Sequence, residues 1–107
     1  MSYLPEIYLE FNRRYPEVSE AYEKVASKCN QGGPLDEKTR HLVKLGISIG
    51  LNSKGAVMSH ARQAIDIGAT PEELRHVVLL GMTTLGFPTM IAAMKWVEKV
   101  IEKHCWQ

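Results

Sequence analysis

Two histidines, His41 and His60, are the side chains whose type and setting best suit chemistry. Imidazole titrates near neutral pH, so it can give or take a proton at a reacting atom without a large pKa shift. His60 stands at the margin of an apolar helical face formed by Val57, Ala61, Ala64 and Ile65. By spacing alone it reads more simply as a partly buried histidine satisfied by a carbonyl. His41 pairs with it if the two helices flanking Leu51-Asn52 fold back as an antiparallel hairpin. The two histidines are then offset by only about 3 Å along the hairpin at a helical rise of about 1.5 Å per residue. Otherwise His41 faces solvent from the second turn of its helix. Arg40, Lys44 and Arg62 surround the histidines in sequence. Of these, Arg40 and Arg62 are the substrate-binding candidates, since a guanidinium matches a carboxylate. Such scattered cations are also what any solvated helix face carries.

Cysteine chemistry has little to work with. Cys29 and Cys105 are 76 positions apart (105 − 29), with no Cys-x-x-Cys and no His or Cys at zinc-ligand spacing. Reduced structural thiols are expected, with a Cys29–Cys105 bridge as the alternative, and no metal site is expected. His76 and His104 have no partner at a useful spacing. Met58, Met82, Met90 and Met94, with Phe87, either line a pocket or fill the core.

The elements that must position these residues read as helices throughout. Pro16 opens an amphipathic helix with Val18, Ala21, Tyr22, Val25 and Cys29 at spacings of three and four, ending near Gly32-Gly33-Pro34. A shorter arm upstream carries Leu4, Ile7, Tyr8 and Phe11, and packing on a neighbouring subunit would give it a role. Asp36 caps a third helix from Glu37 to Gly50, although Val43, Leu45, Ile47, Ile49 and Leu51 also alternate as in a strand. Helix is the better reading because the segment is long for a strand and nothing else offers a strand to pair with it. Ser53 caps a fourth helix that Gly68 ends. Thr70-Pro71-Glu72-Glu73 is a capping box with Pro at the first helical position. The fifth helix it starts carries Leu74, Val77, Val78, Gly81 and Leu85 and runs to the Gly86-Phe87-Pro88 break, where a sixth begins.

Six helices joined by short loops describe an all-α bundle, a single domain over residues 1–107. A domain of this length buries about 65% of its unfolded surface, a modest core that oligomerisation would supplement. A formal charge of +1 with dispersed basic residues argues against a nucleic-acid partner. The first residues lack a secretory signal pattern and no apolar run is long enough to span a membrane, so a cytoplasmic location is expected.

The stretch from Leu35 to Trp96 resembles the carboxymuconolactone decarboxylase family, which includes the alkyl hydroperoxidase D proteins. The resemblance rests on Leu35-Asp36-Glu37-Lys38-Thr39-Arg40, His60-Ala61-Arg62-Gln63-Ala64, Gly68 through Leu74, and Gly86-Phe87-Pro88, all at the family's separations. It implies an alkyl hydroperoxidase D-like helical fold and a homo-oligomer, a trimer or hexamer. The family's peroxidase branch uses Glu, eleven residues, Cys-x-x-Cys, three residues and His. Here His41 stands at the Glu position and Ser53 and Ala56 at the two Cys positions, and only His60 matches. Serine and alanine cannot form a disulfide, which removes that route to peroxide reduction.

The decarboxylase branch lacks the cysteines and keeps the histidine. The resemblance therefore implies a carboxy-lyase acting on a carboxylated unsaturated lactone or similar small acid, with His60 as general acid and His41 or an arginine as anchor. Such a substrate is its own electron sink, so no cofactor is implied. The rival readings are a peroxidase built on Cys29 or Cys105, and a non-catalytic ligand-binding oligomer.

Overall fold

The computed structural model describes residues 5–104, and Leu4 and Cys105 lie outside them. All regular structure among the described residues is helical: α1 Glu6–Arg14, α2 Pro16–Asn30, α3 Glu37–Gly50, α4 Lys54–Asp66, α5 Pro71–Leu80, α6 Met82–Leu85 and α7 Phe87–His104. The alternation around Val43 to Leu51 is therefore helix, as its length indicates. By its internal contacts the chain divides into two compact units, Met1–Leu35 and Asp36–Gln107.

The first unit is the α1–α2 pair. Pro16 opens α2 where its missing N–H costs nothing. The Ser19 hydroxyl donates to the Asn12 side-chain carbonyl at 2.6 Å, and the Phe11 and Tyr15 rings meet with centroids 5.3 Å apart. Neither helix has a buried residue. The α2 stripe of Val18, Tyr22 and Val25 lies open along its length.

The second unit holds the core. Leu45 and Ile49 of α3, Val57, Ala61 and Ala64 of α4, Leu74 and Val78 of α5, and Met90, Ala93, Val97, Val100 and Ile101 of α7 close on one another. Full burial of each large aliphatic side chain contributes about 1.5–3 kcal/mol, so these few residues carry the unit. Met90 is core, Met58 and Met94 pack against it, and Met82 and Phe87 are exposed.

Local signals set the helix ends. The Asp36 carboxylate accepts from Thr39 N–H at 2.9 Å, and the Ser53 hydroxyl accepts from Ala56 N–H at 3.3 Å. Thr70 and Glu73 satisfy each other's backbone N–H groups, completing the capping box. Among the described residues three with positive φ make the sharp reversals: Asn52, at φ 55°, between α3 and α4, Gly68, at φ 104°, after α4, and Gly86, at φ 93°, between α6 and α7.

The structure departs from the expected fifth helix at Gly81, where that helix ends and the four-residue α6 takes over. Gly81 N–H bonds back three residues to Val78 at 2.9 Å, and a Cβ at Gly81 would stand 3.2 Å from the same carbonyl oxygen. A side chain there would sit tightly against that carbonyl, and the turn would have to give by a few tenths of an ångström. Periodicity ran through it because the apolar stripe continues to Leu85.

Candidate functional site

The candidate site is built on the α3–α4 hairpin. Among the described helices these two make the most extensive contact, and the short Leu51-Asn52-Ser53 connection folds one back on the other. Leu45 and Ile49 face the core from α3 and Val57 and Ala61 from α4, which leaves His41 and His60 partly buried. A charge on His41 lowers the proton affinity of His60 across the hairpin.

Both imidazoles bind protons more weakly than usual. Desolvation by the surrounding helices is the main cause for each, and the Lys44 ammonium adds to it. Arg40 lowers His41 further, and Glu37 works in the opposite direction on His41. At neutral pH both rings are therefore uncharged. In each, Nδ1 is enclosed without a hydrogen-bond partner. A bare acceptor costs less when orphaned than a buried donor, so the proton of the neutral ring belongs on Nε2, the nitrogen left for a ligand.

Lys44 follows His41 by three positions and Arg40 by four, so the two cations occupy one flank of α3 beside the histidine. The buried Ser48 hydroxyl donates to the Lys44 carbonyl at 2.9 Å, which holds that turn of α3. Ser53 and Ala56, at the two positions of the absent cysteine pair, are the cap of α4 and the residue whose N–H it satisfies. Ser53 is thus committed to the backbone.

The structure does not bring every candidate together. Arg62 is two positions from His60 on α4, a spacing at which side chains do not share a face. It is buried, at 8% exposure. Cys29 is exposed on α2 of the first unit, and no thiol other than Cys29 is described. Among the described residues no three His, Cys, Asp or Glu side chains converge as metal ligands. An apolar groove of about 470 Å³ runs between α3, α5 and α6 past Leu42, Val43, Gly46, Val77 and Leu80, and neither histidine lines it. Of Arg40, Lys44 and Arg62, sequence reasoning chose Arg40 and Arg62 as the substrate-binding candidates. Helical phase, counted from His41 and His60, separates the first two from the third.

The family model for the carboxymuconolactone decarboxylase family matches residues 16–99. The chain belongs to the carboxymuconolactone decarboxylase family. Among its relatives, an uncharacterized protein of Methanocaldococcus jannaschii is 30% identical over 90 residues, covering 84% of each chain. The nitrosuccinic acid decarboxylase of Metarhizium robertsii is 39% identical over 67 residues, which are 63% of this chain and 47% of that protein. A crystal structure of a carboxymuconolactone decarboxylase family protein from Legionella pneumophila superposes with a TM-score of 0.76 at 23% identity. That match covers 88% of this chain and 84% of the other. It establishes the family's all-helical fold here. No described helix is long and apolar enough to cross a membrane.

Proposed function

We propose that this family member is a carboxy-lyase that works without a cofactor on a small dicarboxylic acid whose reacting carboxylate is conjugated to an electron acceptor. Arg40 and Lys44 hold one carboxylate of the substrate. The bond from the other carboxylate carbon to its neighbour breaks and carbon dioxide leaves. The electron pair passes into the acceptor, a lactone carbonyl through a double bond or a nitro group, giving a dienolate or a nitronate. His41 Nε2–H donates to the oxygen where that charge collects, and His60 protonates the carbon.

The observation that supports this reading is the placement of two histidines with enclosed Nδ1 atoms beside two cations. An anionic substrate beside these rings favours their charged forms, so it takes up a proton as it binds. Depressed proton affinity then works for the reaction, because a proton that His60 holds weakly is one it gives readily. The relative named for nitrosuccinic acid supports the electron-sink chemistry, since a nitro group accepts the electrons left by carbon dioxide as a conjugated carbonyl does.

A homo-oligomer belongs to the same proposal. The open apolar stripes of α1 and α2 support it.

The test is carbon dioxide release from a panel of acids: 4-carboxymuconolactone, nitrosuccinate, and saturated analogues lacking the acceptor. Release from an acceptor-bearing acid and none from its saturated analogue is expected, with KM raised at least tenfold in Lys44→Gln. Indifference to the acceptor would refute the mechanism. Peroxide turnover abolished by Cys29→Ser would favour the peroxidase reading instead.

A further inference from the structure

Arg62 is the one charged residue in the buried class among the described residues, at 8% exposure. Its Nε is enclosed without a hydrogen-bond partner, and none of the salt bridges among the described residues includes it. Arg75 makes the contrast plain. Its side chain is 37% exposed, yet it is clamped by Glu98 through two nitrogens at 2.6 and 3.0 Å and by Glu72 at 3.0 Å. Among the described residues the fold thus clamps the arginine that water already serves and leaves the Nε of the buried one without an acceptor.

Chemistry limits the remedies for such a group. A buried lysine or histidine can lose its proton and become neutral, as His41 and His60 largely do. A guanidinium cannot within the range in which proteins fold. A buried donor of a charged group without an acceptor is unfavourable, so an acceptor from beyond the described residues would relieve it. The neighbours at the same helical phase, Met58 four positions before and Ile65 three after, are partly buried apolar side chains packed on the core. They exclude water and strengthen whatever pairs with the arginine.

We infer that Arg62 is an oxyanion site: its guanidinium binds a carboxylate or phosphate group supplied from outside the chain, on the flank of α4 turned away from His60. The ligand class follows from the planar fork of donors, which matches two oxygens on one centre. A free small anion and an acidic side chain of a second copy present the same chemistry, and they differ in what they make stability depend on. The site is separate from the proposed catalytic chemistry, and its failure would leave that proposal standing.

Thermal unfolding of the full chain tests it, in phosphate and in acetate against chloride at matched ionic strength and pH 7.5, over a hundredfold range of protein concentration. A free oxyanion site predicts a wild-type midpoint raised by about 4 °C or more at saturating phosphate or acetate. A partner carboxylate predicts instead a midpoint that rises with protein concentration, together with an oligomer seen by sedimentation. Either response should vanish in Arg62→Met, which should also melt above wild type in chloride at low concentration, because an apolar side chain of similar length replaces a buried donor without an acceptor. Arg62→Lys, which keeps the charge but loses the fork, should retain less than half of the response and serves if the methionine variant does not fold. A wild type that responds to neither anion nor concentration overturns the inference, as does a response that both variants keep in full.

Discussion

His41 lies close enough to His60, across the α3–α4 hairpin, that a charge on the first makes a charge on the second harder to hold. Since burial already lowers the proton affinity of both rings, with Lys44 adding to it, the pair fills in order. The first proton goes on against desolvation, and the second against desolvation and its neighbour. Proton-detected titration of the imidazole resonances should give both histidines midpoints below the ordinary 6.5. In His41→Ala the midpoint of His60 should rise. An unchanged His60 midpoint in that variant would mean the two rings do not communicate.

The same shifts fix a sign for stability. Both groups bind protons less well folded than unfolded, so the stability they contribute is complete above about pH 6.5 and is lost as the pH falls through the folded values. Asp36 is also depressed, by hydrogen bonds from the Thr39 side chain and backbone N–H, and Glu73 by the Thr70 N–H and Lys38, but from ordinary values of 3.8 and 4.5. Between pH 7 and pH 5 the histidines therefore dominate. The melting temperature of the wild type should fall across that interval, and the double variant His41→Gln with His60→Gln should flatten the fall.

Leu45 is fully buried on α3, at the heart of the packing that sets the hairpin. Leu45→Ala should cost about 2–5 kcal/mol in unfolding free energy, from lost transfer and the cavity left behind. Denaturant unfolding measures it. The variant should also loosen His41, one helical turn earlier, so proton affinity at that ring should move toward its ordinary value.

Thr70→Ala removes the hydroxyl that accepts from Glu73 N–H and leaves α5 without half of its capping box. A loss of about 1 kcal/mol is expected. Activity should be unchanged, because α5 contributes no side chain to the candidate site.

Much of this architecture was legible in the sequence, and the reasons differ by element. Asp36, Ser53 and Thr70 announce helix starts because a side-chain acceptor followed by a helical stretch has few other uses, and all three cap as expected. Gly68 marks an end because its positive φ suits a residue without Cβ. Gly81 was not legible as a break, since its backbone is right-handed and its neighbours continue the apolar period. At the site, counting residues from the Leu51-Asn52 turn put His41 and His60 at similar heights on the hairpin, and His41 does bear electrostatically on His60. The burial of Arg62 was not accessible that way, because local polarity says nothing about which long side chains the fold will cover. The division of the chain after Leu35 was not read from the sequence, because α2 carries a regular apolar stripe whose lack of burial only the structure reports.

The central claim is that His60 delivers the proton that replaces carbon dioxide. The most direct measurement is the pH dependence of kcat for carbon dioxide release, on an acid the wild type accepts, in the wild type, His60→Gln and His41→Gln. The wild-type rate should fall as pH rises past the protonation of the bound enzyme. His60→Gln should lose about 100- to 10,000-fold, the range for removing a general acid, and with it that pH dependence. His41→Gln should lose less and keep a pH-dependent limb moved to higher pH, since its charge no longer opposes the proton on His60. A His60→Gln enzyme that retains wild-type kcat and its pH profile would contradict the account.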